Sequence, residues 1–288
     1  MFKIAILGCE NSHAHTFLAL LKNGRHPDVE VIGIYSDEEQ PPKRLQSEFG
    51  VPIMKSYDEL VGKVDGIMIT ARHGDNHYKY AKPYLASGIP MFIDKPITCN
   101  GAEAVEFMRE AKKHGVRLSG GSTCKYSLSV LEIAEQYKNG DFGDLLGAHI
   151  CAPLELPNIY GGFYFYAQHL VQMVTAIFGN TIESVCADFR DPSASALMRC
   201  KDVSVTASYI GNCWNYFVGV YGSKLCRSEQ CKASPDSSNM EFDDFYDLLT
   251  GKEMKESYDS FIYPVFVLDA LVRSNESRQW EPINVIPV

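Results

Sequence analysis

Gly88-Ile89-Pro90-Met91-Phe92-Ile93-Asp94-Lys95-Pro96 is an apolar run of strand length that ends abruptly in an acid, a lysine and a proline. Proline has no N–H and cannot extend a central strand, so the strand stops with Asp94 and Lys95 at its carboxyl tip. In an open parallel α/β sheet, ligands bind just beyond the carboxyl ends of the strands. A lysine beside a carboxylate there serves as an electrostatic clamp or, partly desolvated, as a proton donor. In isolation the same residues are a surface salt bridge ahead of a turn. The sequence upstream decides between the two.

Residues 3–7 form a short apolar run, consistent with a buried parallel strand. Gly8-Cys9-Glu10-Asn11-Ser12-His13 follows, and residues 14–22 have helical character. Strand, glycine turn and helix make the first unit of a dinucleotide-binding fold, but of G-x-G-x-x-G only the first glycine is present. Glu10 takes the second place, where a side chain obstructs a pyrophosphate and a carboxylate repels it. His13 takes the third. Ser12 is positioned to cap the helix and Asn11 to donate a hydrogen bond. Residues 29–35 read as a second strand with Ser36-Asp37 at its tip, where an acid often takes the ribose hydroxyls of NAD. Here the serine comes first and the acid one place late; the alternative is a solvated acidic loop through Glu39. Helices are expected over 43–49 and 57–61, a strand over 64–70, then the loop Ala71-Arg72-His73-Gly74-Asp75-Asn76-His77 and a helix over 78–87.

Strands alternating with helices at a spacing of about 30 residues argue for right-handed βαβ crossovers in one parallel sheet. That topology aligns Gly8, Ser36, His73, His77 and Lys95 along a single crevice. A helix over 102–114 and a strand over 116–119 lead into Gly120-Gly121-Ser122. The pattern then changes. A helix over 128–138 stops at Asn139-Gly140, and strand-like segments at 145–151, 182–189, 203–210 and 216–221 predict a mostly antiparallel second sheet. An aromatic-rich helix over 160–178 carries His169, and a last long helix covers 260–275. The fold class is therefore α/β, with a Rossmann-type parallel sheet over 1–122 and an α+β domain over 123–288 whose last helix is free to return to the first domain.

With 45% hydrophobic and 22% charged residues among 288, the composition is globular. A net charge of −9 argues against a nucleic-acid binder, though not against one anionic cofactor held by backbone amides. No stretch approaches the length of a membrane span, and the opening residues are too soon broken for a signal peptide. Nine cysteines without a CxxC pair read as reduced thiols in a cytoplasmic protein, with no bond expected between Cys226 and Cys231.

Taken together, the strand and loop from Val64 to His77, the Gly88–Pro96 segment, Asn139-Gly140-Asp141-Phe142-Gly143-Asp144, the Gly161 to His169 helix and Leu268-Asp269-Ala270-Leu271-Val272-Arg273-Ser274 resemble the glucose–fructose oxidoreductase/inositol dehydrogenase (Gfo/Idh/MocA) family over nearly the whole chain. The resemblance implies an N-terminal domain binding NAD or NADP, and a C-terminal domain whose open sheet binds substrate and pairs subunits into a homodimer or homotetramer. Hydride would pass between the nicotinamide and a sugar-, cyclitol- or polyol-like substrate. By position, Lys95 is the family's lysine acting on the substrate oxygen and His169 its acid or base. Gly8, Asn11, Ser12, His13, Ser36, Asp37, Thr70, Ala71, Arg72, His73, His77 and Asp94 would line the cofactor with Lys95. Lys125, Tyr164 and Tyr166 would meet the substrate, with Lys95 and His169 converging across a shared cleft. Many members carry an aspartate one turn before the histidine, where this chain has Phe165; Asp and His at i and i+4 share a helix face, so that acid would orient the imidazole.

Glu10 and Phe165 keep a second expectation open, a ligand-binding or regulatory protein of the same fold without hydride transfer. A metal-dependent hydrolase or lyase built on His13, His15, His73 and His77 is disfavoured, because residues i and i+2 diverge on a helix and neither H-E-x-x-H nor clustered carboxylates support a site. No metal site is expected. Tyr160 to Tyr166 fits core or subunit interface better than a sugar-stacking platform.

Overall fold

A computed structural model describes residues 1–231 and 235–288, without the side chain of residue 235. The chain divides into two compact units: Met1–Gly121 with Ser238–Phe261 and Val288, and Ser122–Ser237 with Ile262–Pro287.

In the first unit the elements alternate as β1 (Phe2–Leu7), α1 (Ser12–Lys22), β2 (Val29–Tyr35), α2 (Gln40–Phe49), β3 (Gly66–Ile69), α3 (Asp75–Ala81), β4 (Met91–Asp94), α4 (Gly101–Lys113) and β5 (Leu118–Gly121). The strand order is β2-β1-β3-β4-β5 and every pair is parallel. β3 and β4 are buried at every position, as strands covered on both faces must be. β4 ends at Asp94, one residue before the Lys95–Pro96 bond. Two glycines are dictated by close approach. Gly8 has φ +81°, and a Cβ there would stand 2.3 Å from the Ala71 Cα. Gly120 has φ +123°, and its Cβ would lie 2.0 Å from the Ile93 carbonyl oxygen. Residues 57–61 form turns instead of the expected helix, with the Ser56 hydroxyl bonded to Asp58 at 2.5 Å. The segment expected to be one helix over 78–87 starts earlier, as α3, and ends in a 3₁₀ turn over Lys82–Ser87, where Pro83 removes an N–H.

The second unit holds α5 (Leu128–Lys138), β6 (Leu145–Leu154), α6 (Phe163–Phe178), β7 (Ile182–Arg190), β8 (Ser193–Cys200), β9 (Ser204–Gly211), β10 (Tyr216–Gly222), β11 (Cys226–Cys231) and β12 (Glu281–Pro282). Its sheet runs β11-β10-β6-β9-β8-β7-β12, antiparallel except between β6 and β9. Helices α5 and α6 pack on one face. β8 and β11 lie outside the strands expected from sequence. β8 turns only Ala194, Ala196, Met198 and Cys200 inward, a weak hydrophobic signal, and β11 is mostly polar at the sheet edge.

Two helices complete the chain. α7 (Pro235–Leu249) was not expected; its Phe242, Phe245 and Leu249 enter the core of the first unit. α8 (Tyr258–Ser277) places Val267, Leu268, Ala270 and Leu271 in the core of the second. No helix among the described residues is long and apolar enough to cross a membrane, and all nine cysteines are free.

Candidate functional site

Four strand tips of the first unit are joined by polar contacts. Thr70, fully buried after β3, donates to the Gly8 carbonyl at 3.0 Å, and Gly8 lies against Ala71, as its missing Cβ allows. Glu10 is nearly buried. Its Oε2 accepts the Ser36 hydroxyl at 2.7 Å and its Oε1 accepts the Arg72 N–H at 3.0 Å. The carboxylate at the second glycine's place is thus tied off to β2 and β3. Asn11, not Ser12, caps α1, accepting from the His13 N–H at 3.3 Å. Ser12 is the first helical residue and its hydroxyl turns back to the Asn11 side chain at 3.3 Å.

At the β4 tip, Asp94 is fully buried. It accepts from Asn11 Nδ2 at 2.9 Å and the Lys95 N–H at 2.7 Å, and is ion-paired with His13, whose Nδ1 lies 2.8 Å away. Burial opposes protonation of His13, but the charge and hydrogen bond of Asp94 outweigh it, with help from Glu241, and raise its pKa to about 9. Burial likewise opposes ionisation of Asp94, yet His13 and Lys95 hold it below the ordinary carboxylate range. His13 therefore faces Asp94. Lys95 is itself nearly buried, 5% exposed.

His77 is fully buried with its two nitrogens 2.7 and 2.8 Å from the carbonyls of Pro96 and Ala71, and burial lowers its pKa. It clamps the loops after β3 and β4 and shapes the rim. Asp37 accepts from the Tyr35 and Tyr80 hydroxyls at 2.6 and 2.8 Å and from the Lys79 ammonium at 3.0 Å. Its oxygens are thus engaged by three donors of its own unit. His73 accepts from the Asp75 N–H at 3.3 Å. With Asp75 and Cys99 it forms a group whose donor atoms lie within 4.8 Å of one another, a grouping not anticipated from sequence. Burial, with Asp75 adding, pushes the Cys99 thiol up to about 12.

In the second unit His169 is nearly buried on α6, its Nδ1 2.6 Å from the Ser122 hydroxyl and 3.6 Å from the Cys124 sulfur. Ser122 also accepts from the Cys124 N–H at 3.1 Å and donates its own N–H to Gln172 at 2.6 Å. Sequence reasoning missed Ser122 and Gln172. Their signals were a serine at the end of the Gly120-Gly121 strand and a glutamine one turn beyond the histidine. Phe165 meets Tyr160 in a tilted contact at 5.5 Å and Tyr166 edge-on at 4.8 Å between centroids. Tyr166 also lies 5.4 Å from Trp214, an exposed indole absent from the expected site. Lys125 has its ammonium 5.1 Å from the Tyr126 ring. The Tyr164 hydroxyl bonds to Asp269 at 2.5 Å, tying α6 to α8.

The first unit's residues suit a dinucleotide. A helix start, attractive to anions, follows the glycine turn, and a carboxylate stands at the β2 tip. Comparison with known proteins agrees. Residues 2–122 match the family described as an oxidoreductase family with an NAD-binding Rossmann fold. An uncharacterized oxidoreductase, YhhX of Escherichia coli K12, is 22% identical over 195 residues, 65% of this chain and 56% of that protein. Inositol 2-dehydrogenase of Gluconacetobacter diazotrophicus is 31% identical over 94 residues, 32% of this chain and 28% of that protein. The chain thus spans about half the length of the first of these relatives and less of the second. The structure of scyllo-inositol dehydrogenase from Lactobacillus casei, solved with NAD(H) and scyllo-inositol, superposes with TM-score 0.84 at 13% identity, covering 98% of this chain and 99% of that one. Residues 2–122 thus match the NAD-binding Rossmann segment of the Gfo/Idh/MocA oxidoreductase family.

Proposed function

We propose that the protein is an NAD(P)-dependent oxidoreductase acting on a cyclitol- or sugar-like substrate, with residues 1–122 holding the cofactor and 123–288 the substrate and subunit contacts. The observation that carries this is the rim itself. A glycine turn, a helix start, a carboxylate and a nearly buried lysine meet at the carboxyl ends of parallel strands, in a segment that matches an NAD-binding family. Relatives named for inositol support the substrate class.

The nicotinamide, when bound, accepts or supplies the hydride. Gly8, Asn11, Ser12 and the loop Thr70–His73 would hold the dinucleotide. Lys95 stabilises negative charge on the substrate oxygen, and little exposure strengthens that interaction. His169 moves the hydroxyl proton through Nε2, since its Nδ1 is bonded to Ser122. Lys125 and Tyr166 are proposed to meet the substrate. Both features that favoured a binding-only protein have local counterparts: Glu10 is bonded off to the neighbouring loops, and the Ser122 hydroxyl lies 2.6 Å from His169 Nδ1. A cytoplasmic location and pairing with further copies complete the proposal.

The test is nicotinamide absorbance with NAD⁺ and NADP⁺ across a panel of inositols and sugars. Turnover is expected with at least one substrate, and Lys95→Ala is expected to lower kcat by about 10²-fold or more with the fold retained. No absorbance change across the panel with either nucleotide sinks the reading, as does full activity in Lys95→Ala.

A further inference from the structure

Sites of this topology recognise the adenosine ribose through an acid at the tip of the second strand. In this chain Ser36 stands at that tip, and Asp37 is committed to Tyr35, Tyr80 and Lys79. A carboxylate nevertheless reaches the place, from the turn after β1. Glu10 Oε2 accepts the Ser36 hydroxyl at 2.7 Å, and Oε1 accepts the Arg72 N–H at 3.0 Å. We propose that Glu10 is the ribose-recognising acid of this protein and the residue that selects NAD over NADP, a proposal that rests on the rim being a nicotinamide-dinucleotide site.

Three features carry it. An ionised carboxylate has about two acceptor positions on each oxygen. Ser36 and Arg72 occupy one on each, which leaves a pair of acceptors side by side, the pattern that suits the two neighbouring hydroxyls of a ribose. The group is also fixed. Glu10 is only 9% exposed, and swinging it aside would strip the Ser36 hydroxyl and the Arg72 N–H of their acceptor. Finally, a 2′-phosphate in place of the hydroxyl would set a dianion against a carboxylate that cannot retreat, and like charges so placed are strongly disfavoured. The glycine turn has lost its second glycine, and the side chain gained performs the task that the β2 tip has given up.

Calorimetric titration of the whole protein with NAD⁺ and with NADP⁺ reads the proposal without relying on turnover. The native protein is expected to bind NAD⁺ about 10²-fold more tightly than NADP⁺. Glu10→Gln keeps a carbonyl oxygen for the Arg72 N–H and removes the charge. It is expected to narrow that ratio by about tenfold or more, chiefly through tighter NADP⁺ binding. Glu10→Asp is the second variant, with circular dichroism confirming the fold of both. Shorter by a methylene but still charged, it is expected to lose NAD⁺ affinity while continuing to reject NADP⁺. A native preference for NADP⁺, or a ratio unmoved in folded Glu10→Gln, overturns the role of Glu10 and leaves the oxidoreductase reading standing. Binding of neither nucleotide by the native protein overturns both.

Discussion

An imidazole that moves a proton through one nitrogen needs the other held, and the group that holds His169 decides which charge state it favours. A carboxylate only accepts, and so it stabilises the imidazolium. The Ser122 hydroxyl both donates and accepts, and at 2.6 Å from Nδ1 it supports the neutral and the charged ring alike. Its N–H is anchored on Gln172, so the hydroxyl is a fixed partner. On the proposed reaction, Ser122 would thus be a positioning residue. Ser122→Ala is expected to lower kcat by about tenfold with KM nearly unchanged, because the imidazole gains freedom while the substrate contacts remain. Ser122→Asp adds a charge facing the ring and is expected to displace the pH–rate profile upward. A profile identical in all three proteins would reduce Ser122 to a packing role. Lys95 was singled out in the sequence by its local strand-end motif and His169 by the family resemblance. Ser122 was not, since 47 positions separate it from its partner and only the fold brings them together.

At the scale of elements, the parallel half was legible because β3 and β4 are buried on both faces and so appear as unbroken apolar runs. In the second unit β8 fills its buried positions with alanine, methionine and cysteine, and α7, whose Phe242 and Phe245 enter the core of the first unit, hides them among acids, so neither announces itself. The bond between elements was equally hidden: α1 is pinned to the tip of β4 by His13 and Asp94. That pair makes stability depend on pH in a defined direction. His13 has its pKa raised from 6.5 to about 9, so its contribution is complete below pH 6.5 and is lost as the pH climbs through 9. Asp94, held below 3.8, contributes above that value and ceases to as the pH falls through its lowered pKa. The contribution is largest between pH 3.8 and 6.5. His13→Asn keeps a donor for Asp94 without titrating. From pH 6.5 to above 9 the native protein is expected to lose about 2 kcal/mol of stability relative to this variant, measured by denaturant unfolding. Parallel curves would show that the pair is not ionised as described.

On the scale of the whole molecule, the register of the second sheet identifies a surface that no sequence pattern could assemble. Leu197 pairs with Thr206, Thr206 with His149 and His149 with Gly219, which lies between Phe217 and Tyr221 along β10. Side chains alternate along a strand and agree across a ladder, so Leu197, Phe217 and Tyr221 share one face. The neighbouring positions Val205, Ala207, Val218 and Val220 point the other way, into the helix-covered core. The first face leaves Leu197 47%, Phe217 40% and Tyr221 37% exposed, between polar residues such as Thr206 and Ser208. Large apolar side chains spread over an uncovered sheet face, with a polar surround, suit a second copy of the same face related by a two-fold axis. Light scattering coupled to gel filtration is therefore expected to give at least twice the monomer mass at micromolar concentration. The double variant Leu197→Glu/Phe217→Glu faces solvent in the monomer, so it is expected to yield folded monomer, because a self-complementary contact places each introduced charge near its own copy. A native protein that runs as a monomer, or a double variant that keeps the native mass, would assign this face to solvent.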